Sequence, residues 1–106
     1  MANTYTNAKL DLTTTNVTTL YTCPASTVTV IKSILVSEDS GSADTITVTV
    51  TNGSSVYSLF KVKAVAANTT IELLTAPLVL QTTEILKVNA ASANRLHVVA
   101  SLLEVS

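Results

Sequence analysis

Few side chains in this sequence have the chemistry of a catalytic group. His97 is the only histidine and Cys23 the only cysteine. A catalytic triad would need a nucleophile and an orienting acid beside His97, but His97 lies among apolar residues in a predicted strand. We interpret it as a strand histidine facing solvent or an interface, and Cys23 as a small buried apolar residue. We therefore predict no catalytic residue and no enzymatic activity.

Ligands for a metal or a phosphate group are equally sparse. Zinc needs three or four His, Cys or carboxylate ligands, and the chain has only His97 and Cys23 as soft ligands. The acidic segment 38–44, EDSGSAD, offers oxygen ligands of the kind that Ca²⁺ takes. Its spacing matches no EF-hand, so we predict a solvated turn there. With two glycines in the whole chain there is no glycine-rich phosphate loop, and we predict no metal and no cofactor.

The composition limits the partners of the chain. Its 106 residues suffice for one domain, and only 12% are charged, against about 25% in ordinary domains. Much of the surface must therefore be Thr, Ser, Asn and Ala, or be covered by a partner. A net charge of −1 gives no basic footprint for nucleic acid. The apolar runs are far shorter than the ~18 residues that span a bilayer, and the N-terminus has no signal-peptide pattern.

The segment 27–38 is the longest run typical of a β-strand, and the shorter strands are expected to surround it. Its alternation fails near Ile31 and Lys32. A β-bulge or bend there would explain the failure, because one extra residue turns every later side chain to the other face. Burial on both faces is the alternative. We place Ile34 in the core. Val28, Val30, Ile34 and Val36 share one parity of the alternation, and Thr27, Thr29, Ser33 and Ser37 share the other.

A hairpin is predicted in the middle of the chain. Segment 45–51 alternates strictly between Thr and Ile or Val, which is typical of a strand with one buried face. Asn52 and Gly53 then predict a type I′ turn, which needs positive φ at both central residues. The returning strand is 56–65, and its two lysines charge an exposed edge. Its predicted inward side chains are Phe60, Val62 and Ala64, and its outward ones are Lys61 and Lys63.

Strands are also predicted at 17–22, 69–74, 78–80, 84–90 and 96–105. Turns separate them at short intervals, a pattern that predicts a single-domain antiparallel β-sandwich of about eight short strands. We expect a jelly-roll-like fold, with an immunoglobulin-like sandwich as the alternative. Both faces of the last strand are apolar, which indicates a central strand or one covered by a neighbouring subunit.

The first residues have no comparable pattern. We predict that 1–16 form an N-terminal arm, flexible or ordered only against a partner, with a short edge strand at Lys9 to Leu12 and a frayed terminus as the alternatives. The β-sandwich domain is then 17–106.

A family resemblance rests on turns and strands. The chain has Leu20-Tyr21-Thr22-Cys23-Pro24-Ala25, then a β-run from Val30 to Val36, a Ser/Gly turn and a Thr-Val strand. Later come Leu78-Val79-Leu80 and Glu84-Ile85-Leu86-Lys87-Val88. Over residues 17–105 this resembles small virion structural proteins of tailed bacteriophages. The resemblance implies a capsid decoration (cement) protein, or a neck or tail subunit.

The resemblance also implies partners and a location. We expect the chain to bind itself, as a homodimer or homotrimer, and the major capsid protein, without nucleic acid, membrane or small-molecule substrate. It would be made in the host cytoplasm and end in the virion. The alternative from another class is a glycan-binding adhesin domain, for which Tyr21 and Tyr57 would supply a small stacking platform.

Overall fold

A computed structural model describes residues 3–106 as nine strands without a helix. No helix in this part of the chain could therefore cross a membrane. The strands are β1 (Asn3–Asp11), β2 (Thr18–Thr22), β3 (Val28–Glu38), β4 (Asp44–Asn52), β5 (Ser55–Val65), β6 (Thr70–Glu72), β7 (Leu78–Leu80), β8 (Ile85–Ala90) and β9 (Leu96–Val105).

The strands form two antiparallel sheets. Sheet A has the order β1-β9-β3-β6, with β7 also paired to β3, and sheet B has the order β2-β8-β4-β5. The pairs are nested around the β4–β5 hairpin: β3 pairs with β6 and β7, β2 with β8, and β1 with β9. Since β6 and β7 pair with the two halves of β3, they act as one interrupted strand. This is the strand order of a jelly roll, which confirms the predicted sandwich.

The long strand β3 contains the predicted bulge. Its pairing with β9 shifts between Ile31 and Ser33, which leaves Lys32 as the extra residue. Before the bulge Thr29 and Ile31 are buried, and after it Ile34 and Val36 are buried. Val28 and Val30 therefore lie on the outer face of sheet A and Ile34 and Val36 on its inner face, as a bulge at this position predicts.

The core lies between the two sheets and is aliphatic. On β4, β8 and β9 the buried positions alternate as the sequence predicted. Each fully buried Val, Leu or Ile contributes about 1.5–3 kcal/mol relative to exposure. The side chains with no more than 1% exposure include Ile31, Ile34, Val36, Ile46, Val48, Leu80, Leu86, Val88, Leu96, Val98, Ala100 and Leu102.

The N-terminal segment differs from the predicted arm. Asn3–Asp11 is strand β1, paired with β9 along its whole length from Asn3 opposite Val105 to Asp11 opposite His97. Only Ala8 and Leu10 of this strand pack against the core, so backbone hydrogen bonds to β9 hold it more than side chains do. Residues 1 and 2 lie outside the described part of the chain.

The β4–β5 hairpin forms, but its turn and its return strand differ from prediction. Positive φ occurs at Gly53 and not at Asn52, and Asn52 pairs with Ser55, so the central residues are Gly53 and Ser54, as in a type II′ turn. Two register shifts in the pairing of β5 change which side chains face inward. Val62 and Ala64 are exposed, and the neighbouring Val65 is buried instead.

Candidate functional site

His97 lies on the outer face of β9 with a carboxylate at each ring nitrogen. Its Nε2 is 3.2 Å from Asp11 Oδ1 and its Nδ1 is 3.5 Å from Asp39 Oδ2. A triad needs one nitrogen on an acid and the other on a hydroxyl nucleophile, and this pair of acids occupies both. The position agrees with a strand histidine at the surface.

Cys23 is buried, at 1% exposure. Its Sγ donates to the carbonyl oxygen of Thr27 at 3.2 Å, lies 3.3 Å from Thr29 Oγ1, and is 3.6 Å from the carbonyl oxygen of Leu80. These contacts fix the end of β2 against β3 and β7. The thiol is therefore a packing group, as predicted.

The two tyrosines of the predicted stacking platform are separated. Tyr21 is on β2 and Tyr57 on β5, the opposite edge strands of sheet B. The Tyr21 hydroxyl donates to the Glu104 carboxylate and lies 2.8 Å from Thr29 Oγ1, so it joins sheet B to sheet A. Burial, and next the hydrogen bond to Glu104, raise the pKa of Tyr21 to about 12.

The acidic segment 38–44 is exposed from 39 to 43, as predicted for a solvated turn, but Glu38 at its start is buried at 2% exposure. Its carboxylate accepts the N–H groups of Ser40 at 2.9 Å, Gly41 at 3.1 Å and Asn68 at 3.2 Å, and the Ser40 hydroxyl. The hydrogen bond from the Ser40 hydroxyl, followed by these N–H groups, lowers the pKa of Glu38 to about 2 against the opposing effect of burial.

The carboxylates of this segment do not converge on a common point. Asp39 contacts His97, and Asp44 accepts the N–H groups of Thr45 at 2.8 Å and Ser92 at 3.2 Å. Within residues 3–106 no group of three or more His, Cys, Asp or Glu side chains could hold a metal ion. Instead, Glu38 and Asp44 connect the segment to two other loops by accepting hydrogen bonds from the N–H groups of Asn68 and Ser92.

The exposed apolar side chains are concentrated on two surfaces. Ten large apolar side chains in the described part of the chain are exposed; five lie on the outer face of sheet A and four on β5. With their half-buried neighbours, the first group forms what we call the apolar face. It consists of Tyr5, Val28, Val30, Leu35, Val79, Val99, Leu103 and Val105.

Strand register arranges the apolar face in rows across sheet A. One row runs Tyr5, Leu103, Val30, Val79 and another runs Lys9, Val99, Leu35, Glu72. A polar row of Asn7, Ser101 and Ser33 separates them. Tyr5 is 74% exposed and Val79 is 49% exposed. The sequence signalled this face only in β9; the bulge in β3 and the pairing of β1 were needed to assemble the rest.

The second group, which we call the β5 surface, consists of Val56, Tyr57, Leu59 and Val62 and covers both sides of this edge strand, since Val56 lies opposite Thr51 and Tyr57 opposite Val50. Val62 has φ of 54°, unusual for a β-branched residue, and its N–H donates to Thr47 Oγ1 at 3.1 Å. The bulges and the exposed Lys61 and Lys63 oppose the addition of another strand at this edge. A groove of about 310 Å³ beside Leu59 continues this surface toward sheet A, and its lining includes Phe60, Leu74 and Pro77. Sequence alternation missed this surface, because it assigned Val62 to the core.

The outer face of sheet B is different, and we call it the threonine face. Its β4 side chains are Thr45, Thr47, Thr49 and Thr51, flanked on β8 by Ile85, Lys87 and Asn89.

No protein-family model matches the chain, and no curated protein matches it significantly. The two apolar surfaces are thus the strongest functional signal in the molecule.

Proposed function

We propose that this chain is a non-enzymatic structural protein of a tailed-bacteriophage virion, a decoration or cement protein that binds the outside of the capsid and stabilises it. The observation that carries the proposal is the pair of separate apolar surfaces on a small jelly roll with few charges. A subunit of a lattice needs one surface for its own kind and one for the shell. The apolar face and the β5 surface meet that requirement.

Stabilisation of a shell requires only modest affinity from each copy. A protein that binds the assembled shell and not its dissociated subunits stabilises the shell by mass action. Many copies acting together multiply a weak single contact. A rigid sandwich without a catalytic constellation suits this role, and jelly rolls are frequent among capsid proteins. Because one fold serves many functions, the proposal rests on the surfaces and not on the fold alone.

We assign the β5 surface to the capsid contact. Its apolar side chains are accompanied by Lys61 and Lys63, which favour an acidic partner. Exposed apolar residues beside charges are typical of an interface rim and core. The major capsid protein is the partner that the proposal implies, and the chain would reach it as part of the finished particle.

The test uses particles of the phage that encodes this chain. Particles with and without the chain are purified, checked by mass spectrometry, and heated while DNA release is followed. We expect the chain to be present, its loss to lower the temperature of DNA release, and added purified chain to restore it. The proposal would be overturned if purified particles lacked the chain, or if its removal left the temperature of DNA release unchanged.

Variants of the β5 surface provide the matched control. Leu59→Asp should reduce the number of copies on the particle and leave the fold intact, since Leu59 is exposed. Thr49→Asp, on the threonine face, adds the same charge elsewhere and should leave occupancy unchanged. A cryo-EM map of the particle then locates the chain, and density on the neck or tail would replace the capsid assignment.

A further inference from the structure

We infer that the apolar face binds the same face of a second copy of this chain, about a two-fold axis that runs parallel to the strands between β9 and β3. This deepens the proposed function, on which it rests only in taking the chain to be a subunit of an assembly. Two copies that associate through the same surface are related by a two-fold axis, whereas a three-fold ring needs two different surfaces on each subunit. The inference therefore selects the homodimer over the homotrimer.

The two-fold axis places each row of sheet A opposite the same row of the partner, with the order of the residues along the row reversed. β9 then faces the partner's β3, and β1 faces the partner's β6 and β7. In the first row Leu103 lies opposite the partner's Val30 and Tyr5 lies opposite the partner's Val79. Every contact in this row is apolar, and aligned sheets pack in this way in ordinary β-sandwiches.

The charges of the face are complementary in the same arrangement. The second row carries Lys9 at the β1 end and Glu72 at the β6 end. Reversal places Lys9 opposite the partner's Glu72, on both sides of the axis, with Val99 opposite the partner's Leu35 between them. Lys32, in the bulge, faces the partner's polar middle row, where Asn7 and Ser101 offer acceptors.

Hydrogen bonds within the chain fix the position of the Glu72 carboxylate and favour its ionised form, which suits the proposed ion pair with the partner's Lys9. Its carboxylate accepts the Ser33 hydroxyl, the N–H of Ile34 at 2.8 Å and the N–H of Leu74 at 3.2 Å. Burial raises the pKa of Glu72, but these hydrogen bonds outweigh it and hold the pKa below its usual value. Fixing the carboxylate before association reduces the entropy cost of the ion pair.

The face is large enough for a specific dimer. Three strands about 4.8 Å apart with nine residues of about 3.3 Å each, and the three-residue strands β6 and β7 beside them, make a footprint on the order of 500 Å². Protruding side chains increase the accessible area above this. Standard interfaces bury about 800 Å² per partner, so the face approaches that size.

The test is sedimentation of the purified chain between about 1 and 100 µM. We expect a species of twice 11.1 kDa. Leu35→Lys should weaken the dimer on the order of 100-fold, because it buries an unpaired charge. Lys9→Glu should weaken it on the order of 10-fold by opposing two carboxylates on each side. Lys87→Glu makes the same charge change on sheet B and should have no effect.

A mixing experiment tests the register. In the proposed arrangement Leu35 faces the partner's Val99, so Leu35→Lys and Val99→Glu chains should each be monomeric alone and form a heterodimer when mixed. Circular dichroism confirms that each variant is folded. No heterodimer, or a dimer that survives Leu35→Lys but is lost in Tyr57→Asp on the β5 surface, would overturn the inference.

Failure of the inference is distinguishable from failure of the proposed function. A monomeric wild-type chain that still protects heated particles would overturn the dimer and keep the decoration role. If the chain forms the dimer and the variants behave as expected, but particles without the chain release DNA at the same temperature, the dimer is kept and the decoration role is overturned.

Discussion

The outer faces of the two sheets cover the same core with different chemistry. The apolar face of sheet A exposes Val, Leu and Tyr side chains, whereas the threonine face of sheet B presents the half-buried Thr45, Thr47 and Thr49 beside a lysine and an asparagine. Threonine keeps the β-branch that strands favour and adds a polar group that water can solvate. The jelly roll thus tolerates a polar outer face. The apolar residues of sheet A are not required by the fold, and we attribute them to a partner.

The largest expected effect distinguishes the inner and outer faces of a single strand. Ile34 is fully buried and its neighbour Leu35 is 40% exposed. Ile34→Asp should destabilise by more than about 4 kcal/mol and abolish folding or assembly, since it buries an unpaired carboxylate. Leu35→Asp should cost less than about 1 kcal/mol. Urea unfolding followed by circular dichroism measures both, and a soluble, normally assembling Ile34→Asp protein would contradict the assignment.

The next prediction exchanges the chemistry of the faces. Replacing Val30, Leu35 and Val99 by Thr gives sheet A the character of the threonine face. We expect a folded protein whose dimer is weakened on the order of 100-fold or more, because each dimer loses these contacts twice. Sedimentation measures the loss. Thr47→Val with Thr49→Val on sheet B is the control, and it should leave the dimer constant unchanged.

A third, smaller effect concerns the polar contacts that connect the β3–β4 loop to the β5–β6 loop at one end of the sandwich. Glu38→Gln places an amide donor against N–H groups and should lower the midpoint of thermal unfolding by roughly 5 °C or more at neutral pH. With a folded-state pKa of about 2 against an ordinary 4.5, the stability from Glu38 is present above pH 4.5. It is lost as pH falls through 2.

The control for Glu38 is its pH dependence. Calorimetric scans from pH 7 to pH 2 should show a shallower fall in the unfolding midpoint for Glu38→Gln than for the wild type. Equal slopes for the two proteins would mean that the Glu38 carboxylate is not held as described.

The smallest expected effect is at the other end of the sandwich. Tyr21→Phe removes the hydroxyl that joins Thr29 and Glu104 and should cost about 1 kcal/mol. Because the folded-state pKa of Tyr21 is about 12 and its ordinary value is 10.0, its contribution is full below pH 10 and is lost as pH rises through 12. Chemical unfolding at pH 7 and pH 11 tests this, and a variant equally stable to wild type would contradict it.

The sequence predicted most strands because their signals are local. Alternation in β4, β8 and β9 located the core positions, and the break at Ile31 and Lys32 located the bulge. Strand β1 was not predicted over its full length, because only Ala8 and Leu10 of it pack against the core and its sequence therefore has almost no pattern of buried positions. Its place depends on hydrogen bonds to β9, which is distant in sequence.

The candidate surfaces were harder to predict for a related reason. Val62 alternates correctly for a core position, and only the two register shifts in β5 expose it. Glu38 looked like a solvated acid, since the acidic and small residues of 38–44 do not show that its carboxylate accepts hydrogen bonds from Ser40, Gly41 and the more distant Asn68. The rows of the apolar face combine β1, β3, β7 and β9, which no local pattern joins. A composition of 12% charged residues predicted a surface of small polar residues or one that a partner covers, but not which strands would expose apolar side chains.

The nested pairing around Gly53 also implies an order of events when the chain folds. The β4–β5 hairpin closes a two-residue loop, and each further pair encloses the previous one, up to β1 and β9, which join residues 3 and 105. The entropy cost of closing a loop falls once the inner segment is already compact. We therefore expect zipper-like folding from the hairpin outward, with the slow rates of topologies dominated by distant contacts. Strand β1 would be the last to dock and the first to fray.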